Sequence, residues 1–267
     1  MSDAWSDLLA CLDLRRSSPE AAAFEGPNQQ SSYHRLFGGQ ILAQFVRAAS
    51  LTIPGKTVKS LHALFPSAGR TAEPVSYEVE CHREGSSFAT LTIVARQPSG
   101  VIANALVSMH AAEDGLEDQT VPAAPARPGA EHKVDFGLIP WETRSSADLD
   151  SQAAAPPEFE LWMRTPAVSP DLASALTAYA TDLTLIGTAL RPLAGISQQD
   201  AGTRFTSAVT SHSLWFHRPF RTEDWLLLRQ QCPILAHGRA FGRGDVLTED
   251  GALVASYAQE ALVRFTP

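Results

Sequence analysis

Hydrophobic spacing divides the chain into two similar blocks. After Gly38-Gly39, apolar residues fall at Ile41, Leu42, Phe45, Val46 and Ala49, the spacing of one buried helical face, and Pro54-Gly55 ends the run. The period then changes. "SLHALFPSA", "PVSYEVECHREGSSFATLTIVARQ" and "SGVIANALVSMHAA" alternate or are densely β-branched, and "REGSS" and "QPSG" between them are turn chemistry, so one helix followed by an antiparallel meander is expected. The second block keeps that order. "SPDLASALTAYATDLTLIGTAL" opens with a Ser or Asp cap and continues with helical spacing, and strand-like runs follow in "SHSLWFHRPF", "DWLLLRQQCPIL", "GRAFGRGDVL" and "GALVASYAQEALVRF", with "TEDG" as a tight turn.

Between the blocks, "MHAAEDGLEDQTVPAAPARPGAEH" is rich in Pro, Ala and acidic residues and has no sustained period. The expected organisation is a first unit over 1–115, a linker over 116–157 and a second unit over 158–267. One offset relates the units: 151 residues after "LHALF" (Leu61 to Phe65) stands "HSLWF" (His212 to Phe216), and 151 after Gly100 stands Gly251. The offset fails at the helices, where the second block is longer. A duplicated helix-plus-meander predicts the α+β class, as a double hotdog with two tandem antiparallel sheets each wrapped around a helix.

Composition narrows the function. A net charge of -8 argues against broad attraction to nucleic acid or an anionic membrane surface. No apolar stretch approaches the ~18 residues of a membrane span, and "MSDAWSDLLACLDLRR" lacks a basic start followed by an apolar block, so a cytoplasmic location is expected. Cys11, Cys81 and Cys232 are widely separated and show no CxxC spacing, which points away from disulfides and thiolate metal sites. Arginine far outnumbers lysine, so a phosphate site would use planar bidentate donors.

"RLFGGQILAQFVRAAS", "REGSSFATLTIVARQ", "YATDL", "SLWFHRPF" and "FGRGDVLTEDGALVASYAQEALVR" resemble, in order from about Leu36 to Phe265, the type II acyl-CoA thioesterases of bacteria and peroxisomes. The resemblance implies a double hotdog in a homo-oligomer that hydrolyses fatty acyl-CoA. Neither metal nor organic cofactor is implied, coenzyme A being part of the substrate. It also implies a water-activating trio: an Asp just before the His of the "HSxWFH" segment, a Thr or Ser in the next strand, and a Gln in the last. Carried over, the Gln is Gln259, the Asp position holds Ser211, and the hydroxyl position falls at Pro233 beside Cys232. The catalytic set is therefore altered. An acyl-CoA-binding paralogue with weak or no turnover is the alternative reading.

The residues themselves single out Gln259, which shares strand phase with Leu253, Ala255, Tyr257, Ala261 and Val263 and so puts a carboxamide on an apolar face. Such an amide either satisfies the core or holds a water or a thioester oxygen. Gly38 and Gly39 can bare helix-start amides to an oxyanion or serve only close packing. Ser211 can orient a water but is too weak a base to replace a carboxylate, and His212, adjacent on a strand, points to the other face. Asp182, inside an otherwise apolar helix, is a possible alternative base or a satisfied structural group; His34 and Glu260 are further candidates. Arg218 and Arg243 can meet the phosphates of coenzyme A or lie on solvated strand faces. Hydration of an enoyl thioester would need an Asp and a His at compatible phase, and the sequence shows no such pair.

Overall fold

The computed structural model describes residues 3–17, 22–30 and 35–266. By internal packing the chain divides into two compact units, one of Met1–Asp118 with Asp171–Ala180 and the other of Gln119–Pro170 with Thr181–Pro267. Each is a hotdog, an antiparallel sheet with helix on its inner face.

The first unit begins with α1 (Ala4–Leu12), a helix outside the duplicated hydrophobic pattern. Its signals are present in the sequence: Asp3 accepts from the Ser6 amide as a cap, and Leu8, Cys11 and Leu12 form a short buried stripe. Then come β1 (Arg15–Arg16), β2 (Ala23–Gly26), α2 (Gly38–Thr52), β3 (Thr57–Leu64), β4 (Val75–Glu84), β5 (Phe88–Gln97) and β6 (Gly100–His110). The sheet order is β1-β2-β4-β5-β6-β3. Helix α2 is buried nearly all round, including Gln40 and Gln44. Gln44 Nε2 donates to the carbonyls of Cys11 and Pro27 at 2.9 and 3.1 Å, and its Oε1 accepts from Tyr77 and Gln40. These bonds make two glutamines tolerable in a helix with almost no solvent face.

The second unit contributes β7 (Lys133–Val134), β8 (Glu142–Arg144) and β9 (Glu158–Arg164). After the helical segment come β10 (Phe205–Phe216), β11 (Leu226–Ala236), β12 (Arg239–Thr248) and β13 (Leu253–Phe265). The order is β10-β13-β12-β11-β9-β8-β7. Strand β10 begins at Phe205, earlier than the apolar pattern indicated, and β7 and β8 lie inside the stretch read as a linker. That stretch is held by side chains rather than by its own period. Arg229 donates to the carbonyls of Pro122 and Ala123, Gln119 to that of Gly251, and Arg127 pairs with Glu249.

The helix expected from Ser169 to Leu190 is broken. Helix α3 (Ala173–Thr181) and α4 (Leu185–Leu190) are separated at Asp182–Thr184, where an Asp flanked by threonines competes with the helical backbone. Most of α3 packs in the first unit: Tyr179 donates to Gln29 Oε1 at 2.6 Å and lies edge-on to Phe37. Helix α4 packs on β11 and β12.

Strand register makes the duplication explicit. Strand β4 begins at Val75 and β11 at Leu226, while β5 spans Phe88–Gln97 and β12 spans Arg239–Thr248, each 151 residues on. Bulges repeat with them. Lys59 is the extra residue in β3 and Thr210 in β10, and His82 in β4 corresponds to Pro233 in the β11 bulge. In the last strand the offset becomes 152, because the connection from Thr248 to Leu253 is longer than that from Gln97 to Gly100; Leu61 faces Val107 as His212 faces Gln259.

Candidate functional site

In the second unit the antiparallel register sets His212 of β10 directly opposite Gln259 of β13, on the inner face. The imidazole is fully buried and Gln259 is 2% exposed. His212 Nδ1 lies 2.8 Å from Gln259 Oε1, and Nε2 lies 3.1 Å from the Thr181 hydroxyl at the end of α3. The helix break brings in a third group: Asp182, 4% exposed, places Oδ1 3.9 Å from His212 Nδ1. Tyr257 lies parallel to the imidazole at 6.1 Å and donates its hydroxyl to Gln230 Oε1.

Burial holds the His212 pKa down to about 4, against the smaller opposing effect of its bond to Gln259. The ring is neutral at pH 7, so its approach to Asp182 is not an ion pair. A carboxamide oxygen only accepts, so Nδ1 carries the proton and Nε2 accepts from Thr181; the nearby carboxylate favours the same tautomer. On the other end of the amide, Gln259 Nε2 is buried with no hydrogen-bond partner among the described residues.

The sequence-derived candidates separate around this cluster. Gln259 and Asp182 share it, and His212 joins them. Ser211 pairs with Glu260 on the opposite face of the sheet, where Glu260 meets Arg239 at 3.2 Å. Pro233 is exposed in the β11 bulge, while Cys232 is buried, donates to the Leu185 carbonyl, and has its thiol pushed up to about 12 by burial. Gly38 and Gly39 open α2 in the first unit; a Cβ at Gly39 would stand 2.3 Å from the Tyr179 carbonyl oxygen, so the missing side chain lets α2 and α3 approach. His34 lies outside the described residues.

Arg218 donates to Gln119 Oε1 and to the Leu253 carbonyl, holding the 119 segment on the sheet. Arg243 lines a cavity of about 790 Å³ with Trp215, Arg229 and Asp245, on the sheet face opposite Gln259; Gln259, His212 and Asp182 do not line it. The two arginines thus have different surroundings. An Asp and a His do stand together, contrary to the sequence expectation, because the pairing needs the helix break that periodicity concealed. Both ring nitrogens are engaged, which leaves this His without a free acid or base position.

No helix among the described residues is long and apolar enough to cross a membrane, and no group of three metal-binding side chains occurs among them. Two family models match the chain in tandem: the acyl-CoA thioesterase N-terminal domain over residues 27–110 and the C-terminal domain over 112–263. An acyl-CoA thioesterase 2 of Haemophilus influenzae is 30% identical over 291 residues, covering 100% of both chains. The human acyl-coenzyme A thioesterase 8 is 28% identical, covering 91% of this chain and 85% of its own. A crystal structure of acyl-CoA thioesterase II TesB2 from Mycobacterium marinum superposes with a TM-score of 0.79 at 30% identity, covering 97% of this chain and 98% of that one. With its tandem hotdogs and an inward carboxamide on the last strand, the chain belongs to the type II acyl-CoA thioesterase family and is a thioester hydrolase.

Proposed function

We propose that this thioester hydrolase cleaves fatty acyl-CoA into free fatty acid and coenzyme A, with Gln259 and Asp182 as the groups that meet the reacting atoms. The observation that carries the reading is the buried Gln259 Nε2, without a hydrogen-bond partner among the described residues, on a carboxamide that shares the Nδ1 side of His212 with the buried Asp182 side chain. A water oxygen attacks the thioester carbonyl carbon while Asp182 takes one of its protons. The negative charge that develops on the carbonyl oxygen is met by the Gln259 amide hydrogens. The tetrahedral species expels the coenzyme A thiolate, which takes up the proton from Asp182. Asp182 thereby supplies the carboxylate that position 211 lacks. Ser211 takes no part, because its side chain emerges on the other face of β10.

The test is thiol release from a series of acyl-CoAs of different lengths. Wild-type turnover is expected, falling roughly 100- to 1,000-fold in Gln259→Ala and roughly 100- to 10,000-fold in Asp182→Asn. Acyl-CoA binding without release above background would overturn hydrolysis in favour of a carrier. Full activity in Asp182→Asn would remove Asp182 from the reaction.

A further inference from the structure

The two hotdogs hold the same pair of inward positions and fill them differently. In the first, Leu61 and Val107 face each other on β3 and β6, 0% and 1% exposed; in the second, His212 and Gln259 stand at the corresponding places. Hydrocarbon satisfies this position in the fold, so an imidazole and a carboxamide are not needed to close the sheet. Burying two polar side chains there instead loses transfer free energy unless each finds partners. His212 finds them on both ring nitrogens, whereas Gln259 is satisfied only at Oε1 among the described residues.

From this asymmetry we propose that His212 is a positioning residue, whose Nδ1–H fixes the Gln259 carboxamide with Oε1 toward the ring and the Nε2 hydrogens toward the reacting thioester. A free carboxamide can turn about its last torsion and present either end. With Oε1 held at 2.8 Å, a turned amide would set its own hydrogens against Nδ1–H. Thr181 secures the ring from the far side: its hydroxyl donates to Nε2, so the Nδ1 proton has one tautomer to occupy. Thr181 closes α3 and Asp182 follows it, so the break that delivers the carboxylate also sets the tautomer. The role assigned to Nε2 rests on the hydrolytic reading above; the lock itself does not.

Two variants and one spectrum test it. His212→Leu, which copies Leu61, should lower kcat about 100-fold, the typical loss of one preorganised donor, with KM within about twofold. His212→Asn, whose amide nitrogen can take the place of Nδ1, should recover kcat to within about tenfold of wild type. Nitrogen-15 spectra of the wild-type protein should show His212 protonated at Nδ1, with Gln259 amide resonances that shift in His212→Leu and return in His212→Asn. Unchanged kcat in His212→Leu, equal losses in both variants, or a proton on Nε2 would overturn the proposal. If wild-type protein released no thiol, hydrolysis would fall, while the spectra would still decide the lock; they decide it too if His212→Leu does not fold.

Discussion

A buried neutral histidine makes stability depend on pH, and the second hotdog allows the size to be worked out. The perturbation is acidification of wild type beside a double variant, His212→Leu with Gln259→Val, which installs the residues of the first hotdog. Unfolded, the imidazole titrates near the ordinary histidine value of 6.5; folded, burial holds it down to about 4. Because the folded value is the lower one, the unfolded chain binds more protons between them. The stability attached to the neutral ring is complete above about pH 6.5 and is lost as pH falls toward 4. At about 1.4 kcal/mol per unit, the full loss is roughly 3 kcal/mol, of which about 2 kcal/mol has gone by pH 5. Carboxylates also lose stability in acid, Glu142 among them, held low first by its hydrogen bond to Arg144; both proteins share the losses of carboxylates away from the ring, so the difference isolates His212 and the Asp182 side chain beside it. Urea unfolding at pH 7, 6, 5 and 4.5 should show the two stabilities diverging as pH falls, the wild type losing more. Parallel curves would refute the reasoning.

Two further outcomes follow from packing and exposure. Gly39→Ala sets a methyl group 2.3 Å from a backbone oxygen that cannot swing away; the clash outweighs the gain in helix propensity, about 0.5–1 kcal/mol, and a net loss of about 1–3 kcal/mol should appear as a lower melting temperature. Cys81 is exposed while Cys11 and Cys232 are buried with thiols pushed up to about 12, so a disulfide reagent should label Cys81 promptly and the other two only after unfolding. Rapid labelling of Cys232 in folded protein would contradict its place beneath α4.

Sheet architecture was readable because its signals are local. Alternation located β4, β5, β11 and β12, turn residues separated them, and phase alone put Gln259 inside. Other features depend on partners far along the chain. Apolar residues resume at Leu183, Leu185 and Ile186 directly after Asp182, so the period does not mark the end of α3, and the nearness of Asp182 to His212 follows only from that break. Along the chain His212 stands beside Ser211 and points away from it; its partner is the cross-strand Gln259, which the register reveals and the linear order does not. Helix α1 carried a legible cap and stripe but is short. Segments 133–134 and 142–144 showed no period because arginine side chains from elsewhere fasten the surrounding stretch.

Thr210, the supernumerary residue in β10, has a consequence for how mutations would be read. Since Val209 pairs with Ala261 and Ser211 with Glu260, this single insertion lets the strand change step without changing direction, so side chains before and after it obey different parities. Removing it would join Val209 directly to Ser211, whose partners Ala261 and Glu260 are already adjacent, so the ladder would close with every side chain on its present face. Drawing Thr210 into the ladder is what would do harm: Thr210 would face Glu260 and Ser211 would face Gln259, delivering Ser211 to the interior and the imidazole to solvent. The identity of the groups inside the second hotdog is thus written partly in a residue that stays outside its ladder.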